Sequence, residues 1–266
     1  MNEFNEYRRS PITISFNKMK SFSILASIFL VLISPILIHT ADIDFSYTGK
    51  TGPIYWADLK GSKEICRTGK QQSPIDITHE KFTTFSKPDN VTFDDAKNVE
   101  IVNNGHTVQV SNKEQILPAT MRIGNEDYEL AQFHFHTPSE HRINEKYFDV
   151  EAHFVFKTKA GNLSVIGVFY DVSDEQNDFL GPIVDNLPLK KNDSHLIDSI
   201  KLSEVLQDID YMNQTYTYPG SLTTPPCDEG VVWWVNTIVQ PISLSQYRQL
   251  RHVMVFNSRF TQDIYF

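Results

Sequence analysis

Cysteine is nearly absent from this sequence: Cys66 and Cys227 are the only two among 266 residues. A single disulfide in an oxidising compartment therefore has no competing connectivity. It would close a loop of about 160 residues, worth roughly 5 kcal/mol in the chain-entropy account; two buried free thiols are the alternative. Positive charge is also scarce, with 24 Lys+Arg against 33 Asp+Glu and a net charge of −9. Residues 1–41 hold Arg8, Arg9, Lys18 and Lys20 but only Glu3 and Glu6, so the remainder is more acidic still. Such a body repels phosphate backbones and anionic lipid heads, which argues against nucleic-acid binding. The sequence also lacks long blocks of one charge sign, low-complexity stretches, internal repeats and linkers, so neither a disordered tail nor a split body is expected. The chain is 40% hydrophobic, enough for a substantial core. The roughly 225 residues after the first 41 suit one domain.

One long apolar run is present. Phe22 to Ile38 carries no charge, follows Lys18 and Lys20, and is followed by Asp42. A basic flank, an apolar core and a polar exit predict a secretory signal within a leader of residues 1–41. The cleavage site is not marked clearly, because small residues are sparse around His39-Thr40-Ala41, and Met19 is an alternative start. Residues 22–38 are nearly long enough to span a bilayer, so an uncleaved anchor is the alternative and the only route to a membrane. Either way the body, residues 42–266, is expected outside the cytosol, secreted or within the secretory pathway. Asn90, Asn162, Asn192 and Asn213 each open an Asn-x-Ser/Thr triplet, the glycosylation acceptor pattern that suits that compartment.

The body reads as mainly β. Val99–Val102, Thr107–Val110, Tyr128–His136, Asp149–Phe156, Leu163–Phe169 and Val231–Val239 are predicted strands. Gly105, Gly124, Gly161 and Gly220 mark expected breaks. Helical patterns are few. Ser173–Asn186 is one, interrupted by Gly181-Pro182. Ser243–Val253 is the other, with Ser243 as cap and Leu244, Tyr247, Leu250 and Val253 at helical spacing.

Residues two apart on a strand share a face. Gln132, His134 and His136 therefore lie on one side of their strand, with Phe133 and Phe135 on the other. Glu151, His153 and Val155 repeat the arrangement on the second strand. A His-x-His pair on a strand is ordinarily two solvent-facing or satisfied histidines. If these strands pair, however, three imidazoles converge from a rigid sheet. Three neutral His ligands leave a fourth tetrahedral position open, as a catalytic zinc site requires. Gln132 and Glu151 are placed to bond the outer ring nitrogens and fix their tautomers.

Further motifs surround these strands: Gln72 to Ile77, Asn103-Asn104-Gly105-His106, Ser139-Glu140-His141, and Tyr218 to Pro226. With Gln132 to His136 and Glu151 to His153, this ordered set strongly resembles the α-class carbonic anhydrases over about residues 45 to 256. The resemblance implies one domain on a central, mostly antiparallel twisted β-sheet with short peripheral helices. It implies zinc held by His134, His136 and His153, and reversible hydration of carbon dioxide to bicarbonate and a proton by zinc-bound hydroxide. Thr223 matches the threonine that orients that hydroxide, bonded in turn to Glu140. His106 matches the proton shuttle, its imidazole titrating near neutral pH. Val155, Val165, Leu222 and Trp233 match the apolar pocket wall, and Thr224 lines the same cavity. Tyr47, Asn104 and Gln109 match the polar side that holds ordered water, Gln109 replacing a common Asn. The pair Cys66 and Cys227 matches the disulfide of secreted members.

There are departures. Phe260 and Asp263 stand where prolines are usual, and the resemblance expects a further strand region beyond Phe266, as if the domain were shortened. With no inferred ligand in that segment, its expected influence is on stability. Two other readings stay open: a catalytically silent binding or storage protein of the same fold, and a cupin-type metal protein. In the latter, His134-x-His136-x3-Glu140 would bind metal through Glu140 and leave His153 idle.

Overall fold

The computed structural model describes residues 43–78, 87–114, 116–205 and 214–263. The leader and Asn213 lie outside these residues. Strands β1 (Asp76–Ile77) and β7 (Arg142–Ile143) form a small parallel pair. The remaining strands make one mixed sheet. They are β2 (Asn90–Phe93), β3 (Ala96–Asn103), β4 (Val108–Ser111), β5 (Leu117–Ile123), β6 (Glu126–His136), β8 (Val150–Lys157), β9 (Leu163–Ser173), β10 (Ser194–Ile200), β11 (Thr215–Ser221), β12 (Glu229–Asn236) and β13 (Gln240–Ser243). The order runs β10-β3-β4-β6-β8-β9-β12-β11, with β5 and β2 continuing outward from β6 and with β13 on β9. Neighbours are antiparallel except where β12 and β13 meet β9. The helices α1 (Ile65–Thr68), α2 (Gly181–Val184) and α3 (Leu244–Met254) are short.

Both faces of the central strands are buried, for a reason visible in their alternation. On one face Phe133, Phe135, Phe154, Phe156, Ile166 and Val168 join the main apolar cluster, which α3 covers through Leu250 and Met254. On the other face Val165, Phe169, Trp233, Val235, Tyr216 and Tyr218 build a second cluster. A sheet packed on both sides is stiff, and its stiffness serves the polar residues that share the second face. Register brings those residues into rows: Gln109 opposite His134, His134 opposite His153, His153 opposite Gly167. A parallel row runs Gln132, Val155, Val165, Trp233, Tyr218.

Simple alternation along β6 would put Tyr128, Leu130, Gln132 and His134 on one face. They are not. Tyr128 and Leu130 belong to the main cluster together with Phe133 and Phe135. The register shift between Leu130 and Gln132 absorbs Ala131 as an extra residue and turns the rest of the strand over. That bulge aims the polar triplet away from the main core.

Several elements differ from the sequence reading. The stretch Val231–Val239 is β12 ending at Asn236, followed by the separate β13. Gly220 is no break; it lies inside β11, which Pro219 and Gly220 disguise as a turn. An edge strand tolerates the exposed Pro219. A Cβ at Gly220 would sit 2.2 Å from Ser73 Oγ, so the glycine permits a close approach. Within Ser173–Asn186 only Gly181–Val184 is helical, and Ser173 itself is the last residue of β9. Helix α3 forms as expected, with Ser243 and Gln246 in a reciprocal capping box. Leu244, however, is exposed.

Candidate metal centre

The ends of β6 and β8 supply the site. The ring centroids of His134, His136 and His153 are 4.5 to 5.3 Å apart. One nitrogen from each ring lies within 4.8 Å of those of the other two. The other nitrogen of each ring donates to a fixed acceptor. His134 Nδ1 donates to Gln132 Oε1 at 2.9 Å, His136 Nδ1 to the Asn257 carbonyl at 2.7 Å, and His153 Nε2 to Glu151 Oε1 at 2.8 Å. The inward set is thus His134 Nε2, His136 Nε2 and His153 Nδ1. His136 Nε2 is buried with no hydrogen-bond partner. An orphaned, lone-pair-bearing nitrogen beside two others is what a divalent metal satisfies. Burial, and then the neighbouring imidazoles, lowers the titration of His134 well below its usual value and that of His136 to about 3, keeping both neutral and able to ligate.

Glu151 anchors a wider network. Its Oε2 accepts from the backbone N–H groups of Glu140 and His141, both at 2.8 Å, and its Oε1 also accepts from His141 Nδ1 at 2.7 Å. His141 Nε2 meets Tyr218 OH at 2.6 Å, which meets Ser73 Oγ at 2.9 Å. Although burial opposes ionisation, His141 and His153 hold the Glu151 carboxyl well below the usual range. Room for it comes from Gly167, where a Cβ would lie 3.0 Å from Glu151 Oε1.

Glu140 is fully buried, with Oε1 accepting from the Arg259 N–H at 2.8 Å. Its Oε2 lies 3.5 Å from His136 Nε2 and 3.9 Å from His153 Nδ1. Burial raises its titration to about 7, against the pull of His153 and of the Thr223 hydroxyl bonded to it. Thr223 is buried and Thr224 half-buried on the loop after β11. Val165 and Trp233 are buried and Val155 and Leu222 half-buried, all in or against the second cluster. The Trp233 ring packs 4.8 Å from the His153 ring.

His106 is half-buried and stacks on Phe45 at 3.9 Å. Asn104 Oδ1 accepts from the backbone N–H groups of His106 and Thr107, so Asn104 shapes the turn that presents His106. Tyr47 is buried against Trp56 and titrates well above its usual value, by burial and by the Glu140 charge. Cys66 and Cys227 are bonded, across a sequence separation of 161. Asn90, Asn162 and Asn192 are exposed.

Sequence reasoning gave His141, Tyr218, Ser73, Asn257 and Arg259 no role. The first three sit inside motifs quoted for the resemblance, the only signal that could have found them. Asn257 and Arg259 reach the site from about 120 residues away in sequence, with no local pattern to announce it. The late segment therefore acts on the centre directly: it holds one of the clustered imidazoles and the buried carboxylate.

Residues 51–263 match the family model described as eukaryotic-type carbonic anhydrase. A carbonic anhydrase of Nostoc sp. is 33% identical over 263 residues, covering 97% of this chain and 95% of its own. Alpha carbonic anhydrase 4 of Arabidopsis thaliana is 33% identical, covering 92% and 93%. Among solved structures, the α-carbonic anhydrase of Thermovibrio ammonificans, in complex with the inhibitor sulfanilamide, matches with a TM-score of 0.75 at 36% identity, covering 84% and 96%. A two-faced sheet, three clustered imidazoles and these likenesses together place the chain in the eukaryotic-type, α-class carbonic anhydrase family, as an enzyme of carbon dioxide hydration.

Proposed function

We propose that the chain interconverts carbon dioxide and bicarbonate using a zinc ion held by His134 Nε2, His136 Nε2 and His153 Nδ1. The observation that carries this is the inward set of three nitrogens, each ring locked from behind by Gln132, Asn257 or Glu151. When bound, zinc supplies the Lewis acidity that brings the ionisation of water towards neutral pH, as it does in carbonic anhydrases generally. The chain does the rest. Thr223 donates its hydroxyl hydrogen bond to Glu140, which leaves its oxygen only an acceptor's role and so orients the attacking water. Val155, Val165, Leu222 and Trp233 form an apolar wall beside the ligands that fits a small apolar substrate, with Thr224 at its margin. His106 takes up the released proton and passes it to buffer. Tyr47, Asn104 and Gln109 form the polar side of that route, Gln109 lying opposite His134 across β4 and β6.

Residues 1–41 are read as a leader and 42–266 as the catalytic domain of a secreted glycoprotein. The disulfide and three exposed acceptor asparagines support this. Among the described residues no helix is long and apolar enough to cross a membrane.

The deciding measurement is stopped-flow carbon dioxide hydration on purified protein before and after stripping with a strong chelator, with elemental analysis. Activity should vanish with the metal and return with added zinc. A rate that survives complete stripping refutes the proposal, and a zinc-loaded protein with no rate at all favours a silent binding protein. Glu140 as a ligand in place of His153 has one observation in its favour, the orphaned Oε2 facing His136 Nε2. Metal retained in His153→Ala but lost in Glu140→Ala would select it; the reverse is expected.

A further inference from the structure

The turn that presents His106 is covered by a second segment. Asn103 N–H donates to the Asp193 carbonyl at 3.1 Å, Asn192 N–H donates to the Asn103 carbonyl at 2.6 Å, and Asn103 Nδ2 donates to the Pro188 carbonyl at 3.1 Å. These bonds clamp residues 188–193 onto the base of the turn. The clamp lays the Lys191 side chain across Gly105: a Cβ there would fall 2.5 Å from both Lys191 Cδ and Cε. Gly105 has φ +86, so the position is glycine's for backbone reasons too, and the lysine stem uses the space. The stem thereby runs beside the residue that precedes His106, with the ammonium one bond beyond Cε. Lys191 is exposed and forms no ion pair with a described carboxylate.

We infer that Lys191 sets which proton acceptor the enzyme uses, by drawing anionic buffer species to the outer side of His106. This rests on His106 being the shuttle. The final transfer moves a proton from the His106 imidazolium to a base in solution, leaving neutral imidazole and the protonated base. In a chain of net charge −9, the general field repels anionic bases. A cation tethered over Gly105, one residue from His106, reverses that locally, within about a Debye length. For a dianion such as hydrogen phosphate the gain is about three- to tenfold in local concentration at low ionic strength. For a neutral base such as imidazole it is nil. Lys191 is a selectivity residue on this account and touches neither metal nor carbon dioxide.

The experiment measures kcat for carbon dioxide hydration by the zinc-loaded full chain against buffer concentration, in phosphate and in imidazole, at low and high ionic strength. The readout is the ratio of half-saturating concentrations of the two buffers. Lys191→Met keeps the stem over Gly105 and removes the charge, and should shift the ratio about threefold towards imidazole. Lys191→Glu should shift it about tenfold, and about 0.5 M salt should abolish the wild-type preference. A merely structural role would lower both buffers' curves together. A ratio unchanged across the three proteins overturns the inference. If Lys191→Glu does not fold, the Met variant and the salt series still decide. His106→Ala in the same series separates the two levels. A His106→Ala rate that is slowed in weak buffer and restored by added imidazole, with an unmoved Lys191 ratio, sinks only the Lys191 role, whereas an unaltered His106→Ala rate in weak buffer sinks the shuttle.

Discussion

Glu151 shows how one side chain can be legible in sequence and still be underestimated. Its position two residues before His153 was enough to assign it to that ring. It also accepts from His141 and from two backbone N–H groups, so it is a satisfied buried carboxylate that fixes β8 and the 140–141 turn together. Glu151→Gln places an amide among donors and should weaken zinc binding by about 10- to 100-fold in a chelator competition, with activity largely restored at saturating zinc. Unchanged affinity would show that the tautomer of His153 is set otherwise. The site histidines also make acid stability a residue-scale property. Burial lowers the titration of His134, His136 and His141, to about 3 for His136 against an ordinary 6.5. The folded state then binds fewer protons than the unfolded one, so stability is present above about 6.5 and is lost as pH falls towards 3. Glu140, raised to about 7, works the other way between about 4.5 and 7, one group against three. The urea midpoint of metal-free protein should therefore be lower at pH 5 than at pH 7.5; a higher one would contradict this accounting.

Among the elements, the bulge in β6 and the segment after α3 do the most for the site. Without the extra residue at Ala131, the alternation that buries Tyr128 and Leu130 would carry His134 and His136 into the main core. The segment after α3 is tied to the end of β6 through Asn257. Its Oδ1 accepts from the Thr137 N–H at 2.7 Å, and its Nδ2 donates to the carbonyls of Phe135 and His106 at 2.9 and 3.0 Å. Asn257→Ala keeps the carbonyl that holds His136 but removes what positions it. Loss of about 1–3 kcal/mol in denaturant unfolding, together with weaker zinc retention, is expected. A destabilised variant with unaltered zinc affinity would assign Asn257 to the scaffold alone.

At the scale of the whole molecule, the Cys66–Cys227 bridge fastens the N-terminal segment to the loop that follows β11 and carries Thr223. Around it Tyr47 and Trp56 form a third small cluster, and Arg259 Nη2 donates to the Cys66 carbonyl at 3.0 Å. Replacing both cysteines by serine should cost roughly 2–5 kcal/mol in urea unfolding. The zinc stoichiometry of the folded fraction should be unchanged, because no ligand side chain touches the bridge. Loss of zinc under native conditions would mean that the bridge also holds the centre.

Periodicity and residue type alone determined that the body is β-rich, that two histidine strands present one polar face each, and that Ser243 caps α3. These are local facts, settled by alternation and by capping within a few residues. The ordered motifs marked the likeness to carbonic anhydrases, including Thr223, Glu140 and His106. Only the tertiary structure decided which face of β6 the histidines occupy, because a bulge inverts the alternation halfway along the strand. It alone also decided that Pro219-Gly220 continues a strand, and that Asn257, Arg259 and Lys191 stand beside groups distant in sequence. Those contacts are bought by closing long loops, and no local pattern encodes where a distant segment will land.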